Sequence, residues 1–272
     1  MLEEHQTPSE SATFIQCTFI KLTYTYSGGA ISFTSEGYHT VRDCFFRECS
    51  TINYRDWHSG GGAVSCSAGS LSVYSSVFIN CRTVGFGGAI LGTSNCASMI
   101  VSNSFIIACS SKSCGGGVSA HNSSAAHLSC CCFISCESPL SGGGYYHYNE
   151  AGLSLRVSNS LFRKNTANMT ESNRGGGGLE DCRITTYNSQ HFFIFFSDNS
   201  AQNGVGNDLS ICVNPLSGND IAHCFTTTSS DSFWNNGRDF NNWLITSLVL
   251  SKISNLNNST SRRYNKNYCF SS

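Results

Sequence analysis

Phe78-Ile79-Asn80-Cys81-Arg82-Thr83-Val84-Gly85-Phe86-Gly87-Gly88-Ala89-Ile90 carries the two signals on which the fold turns: Phe-x-x-Cys, then a Gly-Gly step that ends in an aliphatic residue. Both recur seven times between Phe14 and Leu209. The first is read at Phe14/Cys17, Phe46/Cys49, Phe78/Cys81, Ile106/Cys109, Phe133/Cys136, Phe162/Asn165 and Phe196/Asn199. The second ends at Ile31, Val64, Ile90, Val118, Tyr145, Leu179 and Leu209. Self-similarity at such a period means stacked units, none of which buries its apolar face alone.

Periodicity inside the repeat identifies the unit. Residues such as Leu71-Ser72-Val73 and Leu153-Ser154-Leu155-Arg156-Val157 alternate apolar with polar, as a half-buried strand does. Asp43, Ser75, Asn103, Cys130 and Asn159, three places before the anchors, are mostly small turn formers, so each coil is expected to bend there. The chain therefore reads as all-β, a parallel β-helix of about seven coils. The glycine pairs allow positive φ and close backbone approach at a further bend. A phosphate-cradling role for Arg174-Gly175-Gly176-Gly177-Gly178 is disfavoured, because no Gly-Lys-Ser/Thr follows and the same glycines recur in every coil.

The leg from anchor to glycine step varies while the return leg does not, so insertions collect at one corner, where repeat proteins place binding loops. On this alignment the long loops are Thr18 to Ser27, Thr51 to Gly60 and Thr166 to Gly175. Four segments follow: an N-terminal edge (1–13), the repeats (14–209), a partial coil and cap containing Phe233-Trp234 and Trp243 (210–250), and a polar tail expected to be disordered (251–272). Leu244 to Leu250 is too short to cross a bilayer, and no other segment reads as transmembrane.

The chain has 272 residues, with 16 basic against 17 acidic and no basic stripe, so nucleic acid is not an expected partner. Its sixteen cysteines raise the alternatives of a disulfide framework and a metal site. The repeat argues against both for most of them. Cys17, Cys49, Cys81, Cys109 and Cys136 share one position, taken over by Asn165 and Asn199, and are expected to form an interior ladder of thiols and amides. Equivalent positions on adjacent coils lie ~4.8 Å apart with parallel Cβ vectors, longer than a disulfide prefers. No metal and no cofactor is expected, since no Cys-x-x-Cys pair has a matching partner. Cys212 and Cys224, outside the repeats, are the candidate disulfide in an oxidising compartment.

Sequons include those at Asn122 and Asn168, the latter in a corner loop, making both candidate glycosylation sites. Met1 to Glu10 is acidic and polar, without the apolar core of a signal peptide. Three readings stay open: a fragment of a longer surface protein, export by another route, or residence inside the cell.

Phe-x-x-Asn/Cys paired with Gly-Gly-Ala-Ile/Val resembles the repeat of the polymorphic outer-membrane protein family, and the Cys-rich variant looks like its branch in parasitic protists. The resemblance spans the anchors and glycine steps of the repeats. It implies a right-handed parallel β-helix, displayed at a cell surface or secreted, with an adhesive role toward host-cell or matrix protein or glycan. An alternative is a carbohydrate-active enzyme, a polysaccharide lyase or glycosidase, for which clustered carboxylates are needed. Glu180 and Asp208 are the candidate catalytic pair, expected to face outward on adjacent coils. Tyr146 and Tyr148, in Tyr145-Tyr146-His147-Tyr148, are the candidate binding residues, since exposed tyrosines stack on sugar rings or partner surfaces. His39 reads as a buried, hydrogen-bonded residue.

Overall fold

The computed structural model describes residues 10–53, 59–121, 125–149, 155–168, 175–183, 190–192, 194–201, 207–212, 220–222, 225–226 and 233–235. Among these residues the chain is all-β, and every strand pairing is parallel. Three eight-stranded sheets stack as a β-solenoid. Each coil contributes in turn a strand to the first sheet (Tyr38–Arg42, Gly69–Tyr74, Cys96–Ser102), the second (Phe45–Arg47, Val77–Ile79, Phe105–Ile107) and the third (Val64–Cys66, Ile90–Gly92, Val118–His121). No helix among the described residues is long and apolar enough to cross a membrane.

Three left-handed residues turn each of the first six coils, and Asp198 makes the second bend of the seventh. The first bend is made by Gln16, Asp43, Ser75, Asn103, Cys130 and Asn159 at φ 47–53°, and the second by Lys21, Glu48, Asn80, Ala108, Ser135, Lys164 and Asp198 at φ 51–56°. The third belongs to glycine, with Gly87 at φ 65°. A Cβ on Gly87 would sit 2.1 Å from the Ile90 carbonyl oxygen, so only glycine fits that bend.

Each non-glycine bend turns the following N–H away from the sheet ladder, and a column of short polar side chains receives it. After the second bend, the Cys136 N–H donates to Asn165 Oδ1 at 2.9 Å and the Asn165 N–H to Asn199 Oδ1 at 2.9 Å. In the cysteine coils sulfur does the same work: the Cys49 N–H points at the Cys81 thiol. After the first bend, the Cys44 N–H donates to Ser76 Oγ and the Cys131 N–H to Ser160 Oγ, both at 3.1 Å. Cysteine, serine and asparagine recur here because each offers an acceptor on a short stem plus a donor for a nearby carbonyl.

Register corrects the sequence alignment in the first coil. Phe14 pairs with Val41 in the first sheet, and it is Phe19 that pairs with Phe46 in the second. Cys17 therefore stands outside the ladder assigned to it. It precedes the second-sheet strand as Cys44 does, and its N–H points at the Cys44 thiol. The exposed Leu22 takes the corresponding place before Cys49. Cys49, Cys81, Cys109, Cys136, Asn165 and Asn199 occupy the ladder, all buried.

The core fills the space between the sheets. Phe19, Phe46 and Phe78 stack with ring centroids 4.8 and 4.7 Å apart, and Phe133 on Phe162 at 4.6 Å, each pair contributing about 1 kcal/mol beyond area burial. His39 is buried, stacked on Phe33 at 4.4 Å; its Nδ1 accepts from the Ala12 N–H, so Nε2–H donates to the Ser35 carbonyl. At the far end Phe233 pairs with Leu209, so Phe233-Trp234 extends the third sheet as a strand. Trp243 and the tail from 251 onward lie outside the described residues.

The twelve cysteines from Cys17 to Cys136 are free thiols. Burial pushes Cys131 up to about 12 and Cys132 up to about 11, and Cys109 is also raised. A folded state that holds these protons more tightly than the unfolded chain loses stability once the unfolded thiols ionise. Stability is expected to hold below about pH 8.5 and to fall as pH rises toward 12, read as a decreasing urea midpoint. Cys131→Ser should fold, because Ser76, Ser104 and Ser160 fill the same column, and it should show a shallower alkaline decline. An unchanged decline in Cys131→Ser would remove Cys131 from the effect.

Candidate functional site

Corner insertions define where the stack departs from regularity. With Phe19 as first anchor, twelve residues separate it from Ile31, as they separate Phe78 from Ile90, Ile106 from Val118 and Phe133 from Tyr145. Thr18 to Ser27 is thus no insertion. Two long legs remain, Phe46 to Val64 and Phe162 to Leu179, and both enter the third sheet through the glycine corner. They bracket three coils of ordinary length.

Across those coils the outer face of the third sheet carries an aromatic strip. Alternation places Val118, Tyr145 and Leu179 inward, which turns Leu91, Ser119, Tyr146 and Glu180 outward in one row. The glycine corner roofs this row: a methyl on Gly142 would reach within 2.8 Å of Tyr146 Cβ. Phe86 and Cys114, which precede corner glycines, close over Leu91 and Tyr146 to form a small second core. Tyr146 is accordingly buried, contrary to its expected exposure, because the roof shelters the row nearest the corner. Two residues further along, beyond the roof, His121 and Tyr148 stand side by side in register and half-exposed. Their ring centroids lie 4.9 Å apart, His121 is 5.3 Å from Phe86, and Tyr148 packs 6.5 Å from Tyr146. The surface offered is flat, aromatic and edged with polar atoms, suited to stacking against a sugar ring or a partner side chain.

The carboxylate pair is not assembled. Glu180 is outward and buried under the corner, whereas Asp208 turns into the interior, where its Oδ1 accepts from Asn199 Nδ2 at 2.9 Å. The expectation that both face outward fails because the glycine corner breaks the period-two alternation. Asp208 occupies the place of Gly178 in the previous coil, where a Cβ would touch Phe196 in the core.

Sequence reasoning missed Asp181. It lies opposite His147 in register, both inward and buried, and His147 Nδ1 is 2.9 Å from Asp181 Oδ1. The signal was available, since aligning Tyr145-Tyr146-His147 with Leu179-Glu180-Asp181 puts both on the inner face. Neither side chain reaches solvent, so the pair belongs to the core.

Asn168 is half-buried and its Nδ2 donates to Glu137 Oε1 at 3.1 Å, at the mouth of the second long loop. Asn122 and Cys224 lie outside the described residues. Backbone register sets Cys212 opposite Cys182. A scan against models of known protein families, a search of curated proteins and a search of solved structures each return no match.

Proposed function

We propose that this chain is an adhesin-like binding scaffold, displayed at a cell surface or secreted, that engages a glycan or protein through His121 and Tyr148. The observation that carries the reading is the aromatic strip itself, half-exposed on a rigid parallel sheet and bracketed by the two long corner loops. A ring pair fixed by the strand register loses little conformational entropy on binding, and aromatic side chains dominate recognition surfaces for that reason. The resemblance of the repeats to the polymorphic outer-membrane protein family supports the same role and location.

The test separates binding from folding. In His121→Ala/Tyr148→Ala the side chains removed are half-exposed at the edge of the second core, so the melting temperature should fall by only a few degrees while binding to host cells or arrayed glycans drops at least tenfold. Tyr146→Ala should do the reverse, opening a cavity in the second core and costing about 3 kcal/mol. Undiminished binding by the double variant would end this reading, and absence of the protein from surface-labelled intact cells and from the medium would end its location.

A further inference from the structure

The second sheet differs from the other two in what it shows to solvent. Its strands are three residues long with the middle residue inward, so the first and third residues face out. After the polar Thr18 of the first coil, the first-position row reads Phe45, Val77, Phe105, Cys132, Leu161 and Phe195. Ile79, Ile107 and Ile134 continue it at the third position across the middle of the stack. All these apolar residues are partly exposed, and Phe105 is the most open of them at 39%. On the first sheet the corresponding outer row is mostly polar: Thr40, Ser72, Ile100, His127 and Arg156. An apolar band that runs unbroken across successive coils marks a contact site.

Charge beside the band indicates what covers it. Along the stack, the residue at the second bend reads Lys21, Glu48, Asn80, Ala108, Ser135, Lys164 and Asp198, charged at both ends and neutral between. Let a second copy be turned about a two-fold axis that runs along the strand Phe105–Ile107. Stacking order then reverses while position along each strand is kept. Lys21 meets Asp198 of the second copy, Glu48 meets Lys164 of the second copy, and the two Phe105 rings meet on the axis. Arg47 and Arg163 also fall opposite each other, but each already has a carboxylate, Glu48 at 3.5 Å and Asp198 at 3.8 Å; Glu48 also lies 3.7 Å from Lys21 of its own chain, and the meeting of the two copies extends these exposed pairs into a network. The repeat adds a geometric reason. Two faces sharing a row spacing of ~4.8 Å interdigitate at every coil, a match that an unrelated globular surface lacks.

We propose that this chain self-associates through the outer face of the second sheet, as a reversed two-fold dimer centred on Phe105. Such an interface is isologous and closed, so it stops at two copies. Seven rows at ~4.8 Å by three residues at ~3.3 Å give a face of roughly 29 by 10 Å, well below the ~800 Å² per partner of a standard interface. The association is accordingly weak, with a Kd between roughly 10 and 100 µM.

Sedimentation velocity of the full chain from about 2 to 200 µM, with reductant present so that Cys132 cannot cross-link, reads the equilibrium. Wild type is expected to shift from monomer to dimer across this range. Phe105→Asp, on the outer face, should leave the far-UV spectrum unchanged and keep the protein monomeric throughout. Glu48→Lys should weaken association at least tenfold, and adding Lys164→Glu in the same chain should restore it, because each copy then offers Lys at 48 to Glu at 164. A wild type that stays monomeric at 200 µM, as it would if another segment or partner type owns the band, overturns the proposal. So does a dimer that survives Phe105→Asp, or a charge swap that restores nothing.

Discussion

Gly88→Ala is expected to abolish the folded stack at 25 °C, read as loss of the cooperative urea transition and of the native far-UV signal. Gly88 is not a left-handed residue, so conformational preference has no part in the effect. The cause is the distance between coils. A Cβ at this position would lie 1.9 Å from the Gly116 carbonyl oxygen and 2.6 Å from the Ser110 nitrogen, both backbone atoms of the next coil. Those atoms cannot rotate aside as a side chain can. They are fixed by the ladder itself, in which the Gly88 N–H donates to Gly115 O at 3.0 Å and the Ser110 N–H to Cys81 O at 3.0 Å. Relief requires the coils to part by more than 1 Å at the corner, breaking several of these bonds, and the cost should exceed about 4 kcal/mol. In a solenoid each coil touches only its neighbours, so the break falls between the third and fourth coils and leaves two short stacks, each with a newly opened end. Gly92→Ala is the control. Its Cβ would meet Met99 Sδ at 3.1 Å, the end of a flexible side chain, and the cost should stay near 1 kcal/mol. A wild-type urea midpoint for Gly88→Ala would mean that the corner is looser than the ladder distances require.

Much of this architecture is legible in the sequence because stacking forces equivalent residues to solve the same problem. Asp43, Ser75, Asn103 and Asn159 mark a bend on composition, and each is left-handed. The first coil was not legible for a related reason. Phe14-Ile15-Gln16-Cys17 and Phe19-Ile20-Lys21-Leu22 both carry an inward aromatic followed by a bend and a column residue, and cysteine serves in both columns, so the motif matched the wrong strand. The candidate site was misjudged where alternation meets the glycine corner: Tyr146 is roofed and Asp208 turned inward, and period two alone foresees neither. Unbroken apolar triplets such as Val77-Phe78-Ile79 and Phe105-Ile106-Ile107 could have announced a sheet apolar on both faces, because a half-buried strand would alternate.

The second large effect concerns the amide end of the ladder, where Asn165→Ala should cost 3–5 kcal/mol, measured as the loss of unfolding free energy in urea. Asn165 Oδ1 accepts from the Cys136 N–H at 2.9 Å, while its Nδ2 donates to Phe133 O and to Asn199 Oδ1, each at 3.0 Å. Alanine removes all three bonds within a buried column that water does not reach, and each polar group stripped of its partner carries a desolvation penalty of about 1–3 kcal/mol. Asn165→Cys should cost only about 1–2 kcal/mol. In Cys136 the thiol already does the equivalent work, donating to Ile106 O at 3.5 Å, and sulfur can receive the N–H of the preceding coil. The same replacement one coil further on should be worse. Asn199 Nδ2 gives a 2.9 Å hydrogen bond to Asp208 Oδ1, and a thiol is a poor donor to offer a buried carboxylate. Asn199→Cys is therefore expected to cost at least 1 kcal/mol more than Asn165→Cys, although the two sites share one column and both are buried. Asn199 stands where the column meets Asp208, and the amide donor it gives that carboxyl is the physical reason for asparagine at this place. Equal losses for the two cysteine variants would show that the carboxylate does not depend on the amide, leaving apolar packing to hold that end of the stack.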